Sequence, residues 1–196
     1  MKRLLSVIFV VCCAVTSVMG QQERDFYARL SDAALELTQD VVVYDPAYFR
    51  IGYPGGDVPA NKGVCTDVVI RAYRKLGIDL QKEVHEDMKA DFAKYPNNWG
   101  LKRPDTNIDH RRVPNLMVFF SRHGQKLPVT DNAADYLPGD VVCWMLSGGA
   151  THIGIVVDRK SLTSNRNKVV HNIGAGQVVE DCLFEYKIIG HYRYRK

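Results

Sequence analysis

The order of patterns along the chain predicts an α+β fold. Helical spacing dominates as far as His123. From Gly139 onward the runs become short, β-branched and aromatic, separated by Gly, Ser or Asn. No repeat, low-complexity tract or inter-domain linker interrupts this order. N-terminal helices should therefore pack on a C-terminal antiparallel sheet or open barrel.

The first twenty residues read as a targeting segment. Lys2 and Arg3 precede an almost wholly apolar run, Leu4 to Val15, and Val18-Met19-Gly20 supplies small residues where a signal peptidase cuts. The run is short for a membrane span and stops at Gln21. Cys12 and Cys13 lie inside it, not after it, which argues against a lipoprotein. Residues 1–20 are thus expected to be a signal peptide, and 21–196 a single exported domain, periplasmic or extracellular.

Within that domain, Glu23 to Asp40 carries Phe26, Leu30, Ala33, Ala34 and Leu37 at helical spacing. Val41 to Phe49 is a short apolar stretch broken by Pro46, and Gly52 to Pro59 is a turn-rich loop. A helix should start near Cys65 and stop at Gly77. Leu80 to Tyr95 and Val113 to His123 read as two more helices, joined by a polar loop, Pro96 to Arg112. Strands are expected over Val141–Leu146, Ile153–Asp158, Lys168–Ile173, Gln177–Phe184 and Lys187–Tyr194.

Without Lys2 and Arg3 the 26 basic residues fall to 24 against 22 acidic ones, so the formal charge drops from +4 to +2. This near-neutral balance gives no reason to expect nucleic-acid binding. No later segment is long and apolar enough to span a membrane, and a monomer is expected. Three cysteines survive processing: Cys65, Cys143 and Cys182. Cys143 and Cys182 both read as strand residues, either bridged in an oxidising compartment or buried as free thiols.

Cys65 is the thiol in a reactive setting. At the first turn of a helix, unpaired N–H groups and the positive end of the dipole favour thiolate. His152 begins one predicted strand, with Gly154 leaving room for close packing. His171 lies on the next, where antiparallel neighbours would set the two rings side by side. A thiol with a base and a partner for that base suggests a cysteine hydrolase. A zinc site built from Cys65, His152 and His171 is the alternative, although the chain lacks the close ligand pairs of structural zinc motifs. Asn172 rivals His171 as the orienting residue; adjacent strand residues face opposite sides, so only one can serve. His110 sits before the sheet begins, and His85, His123 and His191 read as surface or packing residues.

Five strings in order, Tyr53-Pro54-Gly55-Gly56, Gly63-Val64-Cys65-Thr66-Asp67, Pro138-Gly139-Asp140-Val141-Val142, His152-Ile153-Gly154-Ile155-Val156 and Val169-Val170-His171, resemble the NlpC-type cell-wall cysteine peptidases of the papain-like group. The resemblance covers about residues 50–175. It implies Cys65 as nucleophile, His152 as base and His171 as orienter, with no metal or cofactor. Tyr53 and Asp67 would lie on the oxyanion or substrate side. The implied substrate is a stem peptide of bacterial peptidoglycan, cut at an amide bond; a muramoyl amidase, an acyltransferase or a non-catalytic envelope-binding module on the same fold are the alternatives.

The chain departs from the family pattern in three places. Val64-Cys65-Thr66-Asp67 replaces the usual Asp-Cys-Ser-Gly, the gap from His152 to His171 is longer than usual with Ser161 to Asn167 expected as an extended hairpin loop, and the segment Trp99 to Arg112 has no counterpart. These features resemble a secreted bacterial group of unassigned function. Arg111 and Arg112 in that segment have the bidentate geometry to bind carboxylates of an acidic peptide, or they belong to a solvated loop closed by its own Asp–Arg pairs.

Overall fold

The computed structural model describes residues 26–196; the expected signal peptide and the helix start expected at Glu23 lie outside the described residues. α1 (residues 26–37) buries Leu30, Ala34 and Leu37. Two-residue strands β1 (Val43–Tyr44) and β2 (Lys62–Gly63) pair in parallel. α2 (Cys65–Lys75) follows directly and ends at Leu76, with Gly77 at φ 81°, a position glycine takes without a Cβ clash. α3 (Leu80–Ala90) is shorter than its apolar pattern suggests: it stops at Asp91 and resumes as a single 3₁₀ turn, Phe92–Lys94. α4 (Val113–His123) keeps its expected bounds, with Pro114 in the first turn, where no N–H is needed.

The sheet has the order β3-β8-β4-β5-β6-β7 and is antiparallel throughout. Its strands are β3 (Gln125–Lys126), β4 (Val141–Met145), β5 (Thr151–Lys160), β6 (Asn167–His171), β7 (Val178–Glu180) and β8 (Lys187–Arg193). β3 escapes sequence reading because two exposed polar residues carry no alternation. β7 is shorter than expected. The chain leaves the sheet after Glu180 so that Leu183 can accept the Trp144 indole N–H at 2.9 Å.

Side chains alternate across this sheet. Val141, Cys143, Ile153, Ile155, Val157 and Val170 face the helices and form the main core with α2. Val142, Trp144, Val156 and Val169 face the other way, under Tyr136, Cys182 and Leu183. The sheet thus stands between Cys143 and Cys182. They are not bridged: Cys65, Cys143 and Cys182 are all free and buried. Among the described residues no helix is long and apolar enough to cross a membrane.

Candidate active site

Cys65 is the first residue of α2, as its sequence context implies. Asp67 fixes that helix start. One of its oxygens accepts the Val64 N–H at 2.7 Å, the half of a capping box that a carboxylate can make. The same carboxylate takes a two-pronged bond from Arg111, at 2.8 and 2.9 Å, with both side chains 2% exposed. Arg111 also donates to the Ala47 carbonyl at 3.2 Å, while its own carbonyl accepts the Thr66 hydroxyl at 3.2 Å. Asp67 and Arg111 therefore brace the helix that Cys65 opens, and Arg111 also lines the groove beside it. Sequence patterning places them on the substrate side because it sees charge, not the burial that pairs it.

Of the segment Pro96 to Arg112, residues 97–100, 102 and 103 are exposed, as expected of a solvated loop, and its end folds in. Its 3₁₀ turn, Asp109–Arg111, is buried. Arg112 stands differently from Arg111. Its guanidinium stacks 4.0 Å over the Trp99 ring and bonds Asp109 at 3.0 Å, and it borders a groove of ≈ 230 Å³ shared with Cys65, Tyr44 and Thr151. Tyr53 is elsewhere: it is 42% exposed and packs edge-on against His85. The aromatic residues that line the groove with the thiol are Tyr44 and Trp99, which sequence reasoning passed over. A signal for Tyr44 was its place in an apolar run just before the Gly-rich loop.

Burial pushes the Cys65 thiol up to about 12, outweighing the Ile153 and Thr66 backbone amides that favour thiolate; the Asp67 charge adds to the upward push. The expected lowering by the helix start is thus reversed, because desolvation of the charged form exceeds what the amides return.

His152 and His171 do meet. His152 Nε2 and His171 Nδ1 are 2.8 Å apart. β5 pairs with β6 through Ile155–Val170 and Val156–Val169, so His171 falls beside Gly154, one diagonal step from His152. A Cβ on Gly154 would lie 2.7 Å from Val169 Cγ1 and 3.1 Å from His171 Cβ. The glycine is what lets β6 and the His171 ring approach. His171 Nε2 continues the chain to Glu180 at 3.0 Å and lies 3.5 Å from Cys182 Sγ. Burial, reinforced by His171, lowers His152 to about 3 and holds it neutral. Burial also lowers His171, against the opposing pull of Glu180. Cys182 is pushed up to about 12, mainly by burial.

The structure does not join Cys65 to this pair. His152 lies opposite Trp144 in the ladder and contacts its ring, on the side of the sheet away from α2. Among the described residues no hydrogen bond links Cys65 Sγ to either imidazole. Asn172 faces the Cys65 side instead, where its Nδ2 holds the Gly63 carbonyl at 3.2 Å, just before the thiol.

The family described as a domain of unknown function, DUF1287, matches residues 31–194. This chain belongs to that family. It is 50% identical over 181 residues to the uncharacterized protein YijF of Escherichia coli (strain K12), covering 92% of this chain and 88% of that protein. Two solved structures from Trichomonas vaginalis are similar: NlpC1, with a TM-score of 0.46 and 17% identity over 84% of this chain, and NlpC2, with 0.45 and 18% over 85%. The match takes in 44% and 47% of those two chains, so this chain spans less than half of either.

Proposed function

We propose that the protein is an exported hydrolase of amide bonds in cell-wall peptides, with Cys65 as nucleophile, His152 as base and His171 as its orienting partner. The observation that carries this is the hydrogen-bonded chain His152–His171–Glu180, at 2.8 and 3.0 Å. With Glu180 accepting the His171 Nε2–H, His171 Nδ1 is an acceptor. His152 then donates its Nε2–H and keeps a lone pair on Nδ1, the tautomer a base needs.

In this mechanism the Cys65 proton passes to His152 Nδ1 and the thiolate attacks the amide carbon. The developing oxyanion faces the Cys65 and Thr66 amides at the start of α2. His152 returns the proton to the leaving amine, and water, activated the same way, releases the acyl group. Arg112 on the groove rim pairs with a carboxylate of an acidic stem peptide. Cys65 and His152 stand on opposite faces of the sheet in this structure, so attack requires the start of β5 to turn His152 toward the groove that Thr151 already lines.

Cys182 supplies a second reading, because it is the thiol that already touches an imidazole, at 3.5 Å. Mass spectrometry of peptidoglycan fragments digested by wild type, Cys65→Ala and Cys182→Ala separates the two. The first reading expects Cys65→Ala to lose at least about 10³-fold in rate with Cys182→Ala active. The reverse pattern moves the nucleophile to Cys182, and no cleavage by wild type leaves an envelope-binding module. The product masses also tell stem-peptide cleavage from muramoyl-amide cleavage.

A further inference from the structure

We propose that His171, Glu180 and Cys182 form a site for a divalent transition metal of the zinc class. The three donors come from the ends of two paired strands and the residue just beyond. β6 and β7 pair Val169 with Glu180 and His171 with Val178, so His171 and Glu180 are diagonal neighbours on one face. Cys182 turns back over the same face as the chain leaves the sheet. His171 Nε2 stands 3.0 Å from Glu180 Oε2 and 3.5 Å from Cys182 Sγ, and all three donor atoms lie within 4.8 Å of one another. In a tetrahedral zinc site, bonds of about 2.0–2.3 Å place neighbouring donors about 3.3–3.8 Å apart. The cluster needs only small side-chain shifts to meet that spacing.

The donor set chooses the metal. A thiolate and an imidazole beside one carboxylate suit zinc, cobalt or cadmium; calcium and magnesium require oxygen donors. His171 and Cys182 are 1% and 4% exposed, while the Glu180 side chain is 46% exposed. The ion thus has a dry floor and an open side for water as fourth ligand, the pattern of three protein ligands with one free position. His171 is also held from behind: its Nδ1 faces His152 Nε2 at 2.8 Å, the outer hydrogen bond that fixes a ligating ring. On binding, Cys182 loses its thiol proton to solvent. The His171 proton moves from Nε2 to Nδ1 and is donated to His152 Nε2, whose own proton moves to Nδ1. No electron is transferred.

The site shares His171 with the proposed hydrolase but does not depend on hydrolysis, and its test reads metal only. The mature protein, stripped with a chelator and dialysed, is titrated with Co²⁺ and separately with Zn²⁺. The expected result is one ion per chain and a near-ultraviolet thiolate-to-cobalt absorption band. That band disappears in Cys182→Ser and persists in Cys65→Ser, and Glu180→Gln weakens zinc binding about tenfold or more. Substoichiometric binding, a band that survives Cys182→Ser, or zinc affinity unchanged in Glu180→Gln with its thermal melt intact each overturns the site.

Discussion

At the scale of single residues, two adjacent arginines have opposite fates. Arg111 is locked to Asp67 with both side chains 2% exposed, whereas Arg112 is 15% exposed and lies over Trp99 on the groove rim. Removing one partner of a buried ion pair strands the other charge in a medium that cannot solvate it. Arg111→Ala should therefore cost about 3–5 kcal/mol in urea denaturation. Arg112→Ala should cost about 1–3 kcal/mol, because it takes a hydrogen-bond partner from the Asp109 carboxylate, which is 2% exposed, while weakening turnover of acidic peptides. Cys65 gives a second check. With its thiol at about 12, alkylation followed by peptide mass mapping should rise about tenfold per pH unit between 7 and 10, since only thiolate reacts. A rate that is flat across that range would mean a thiol already ionised.

At the scale of elements, the glycines of β5 and of the entry to β4 do opposite kinds of work. Gly154 sits in an extended strand and its hydrogen makes space for Val169 and His171. Gly154→Ala should push β6 outward and break the His152–His171 contact, visible as a shift in imidazole NMR resonances together with lost activity. Gly139 has φ +86°, and a Cβ there would meet the backbone of Tyr27 in α1 at 2.6–2.9 Å. Gly139→Ala combines strain with collision and should destabilise by about 1–3 kcal/mol, measured by thermal melting. The starts of α2, α3 and α4, the stops of α2 and α4, and the core strands of the sheet were legible from spacing and punctuation: Gly77, Pro114 and the β-branched runs each act on their own neighbours. The short β1, β2 and β3 were not, because a two-residue strand exists only through its partner.

At the scale of the molecule, the sheet divides the chemistry. Cys65 belongs to the helical side, and His152, His171, Glu180 and Cys182 to the side covered by the chain after β7. Period-two alternation makes this division visible in principle, yet the register and the element covering each face come only from long-range pairing. Global stability should also carry the mark of buried His110. Burial, helped by Arg111 and Arg74 and opposed by Asp105, lowers it to about 3. The unfolded chain, with a histidine near 6.5, then binds the proton first, so stability is fully present above about 6.5 and is lost as pH falls toward 3. Urea midpoints measured over that range should fall for wild type and fall less steeply for His110→Gln.

By itself the sequence determined the α+β class, the placement of Cys65 at a helix start and the pairing of two histidines on neighbouring strands. Each follows from local spacing, which acts over a turn of helix or a step of strand. Only the tertiary structure decided that Asp67 and Arg111 brace a helix, that Tyr44 and Trp99 rather than Tyr53 line the groove at the thiol, and that Glu180 and Cys182 converge on His171. Those outcomes depend on desolvation and on contacts between residues far apart in the chain, and one sequence carries no direct record of either.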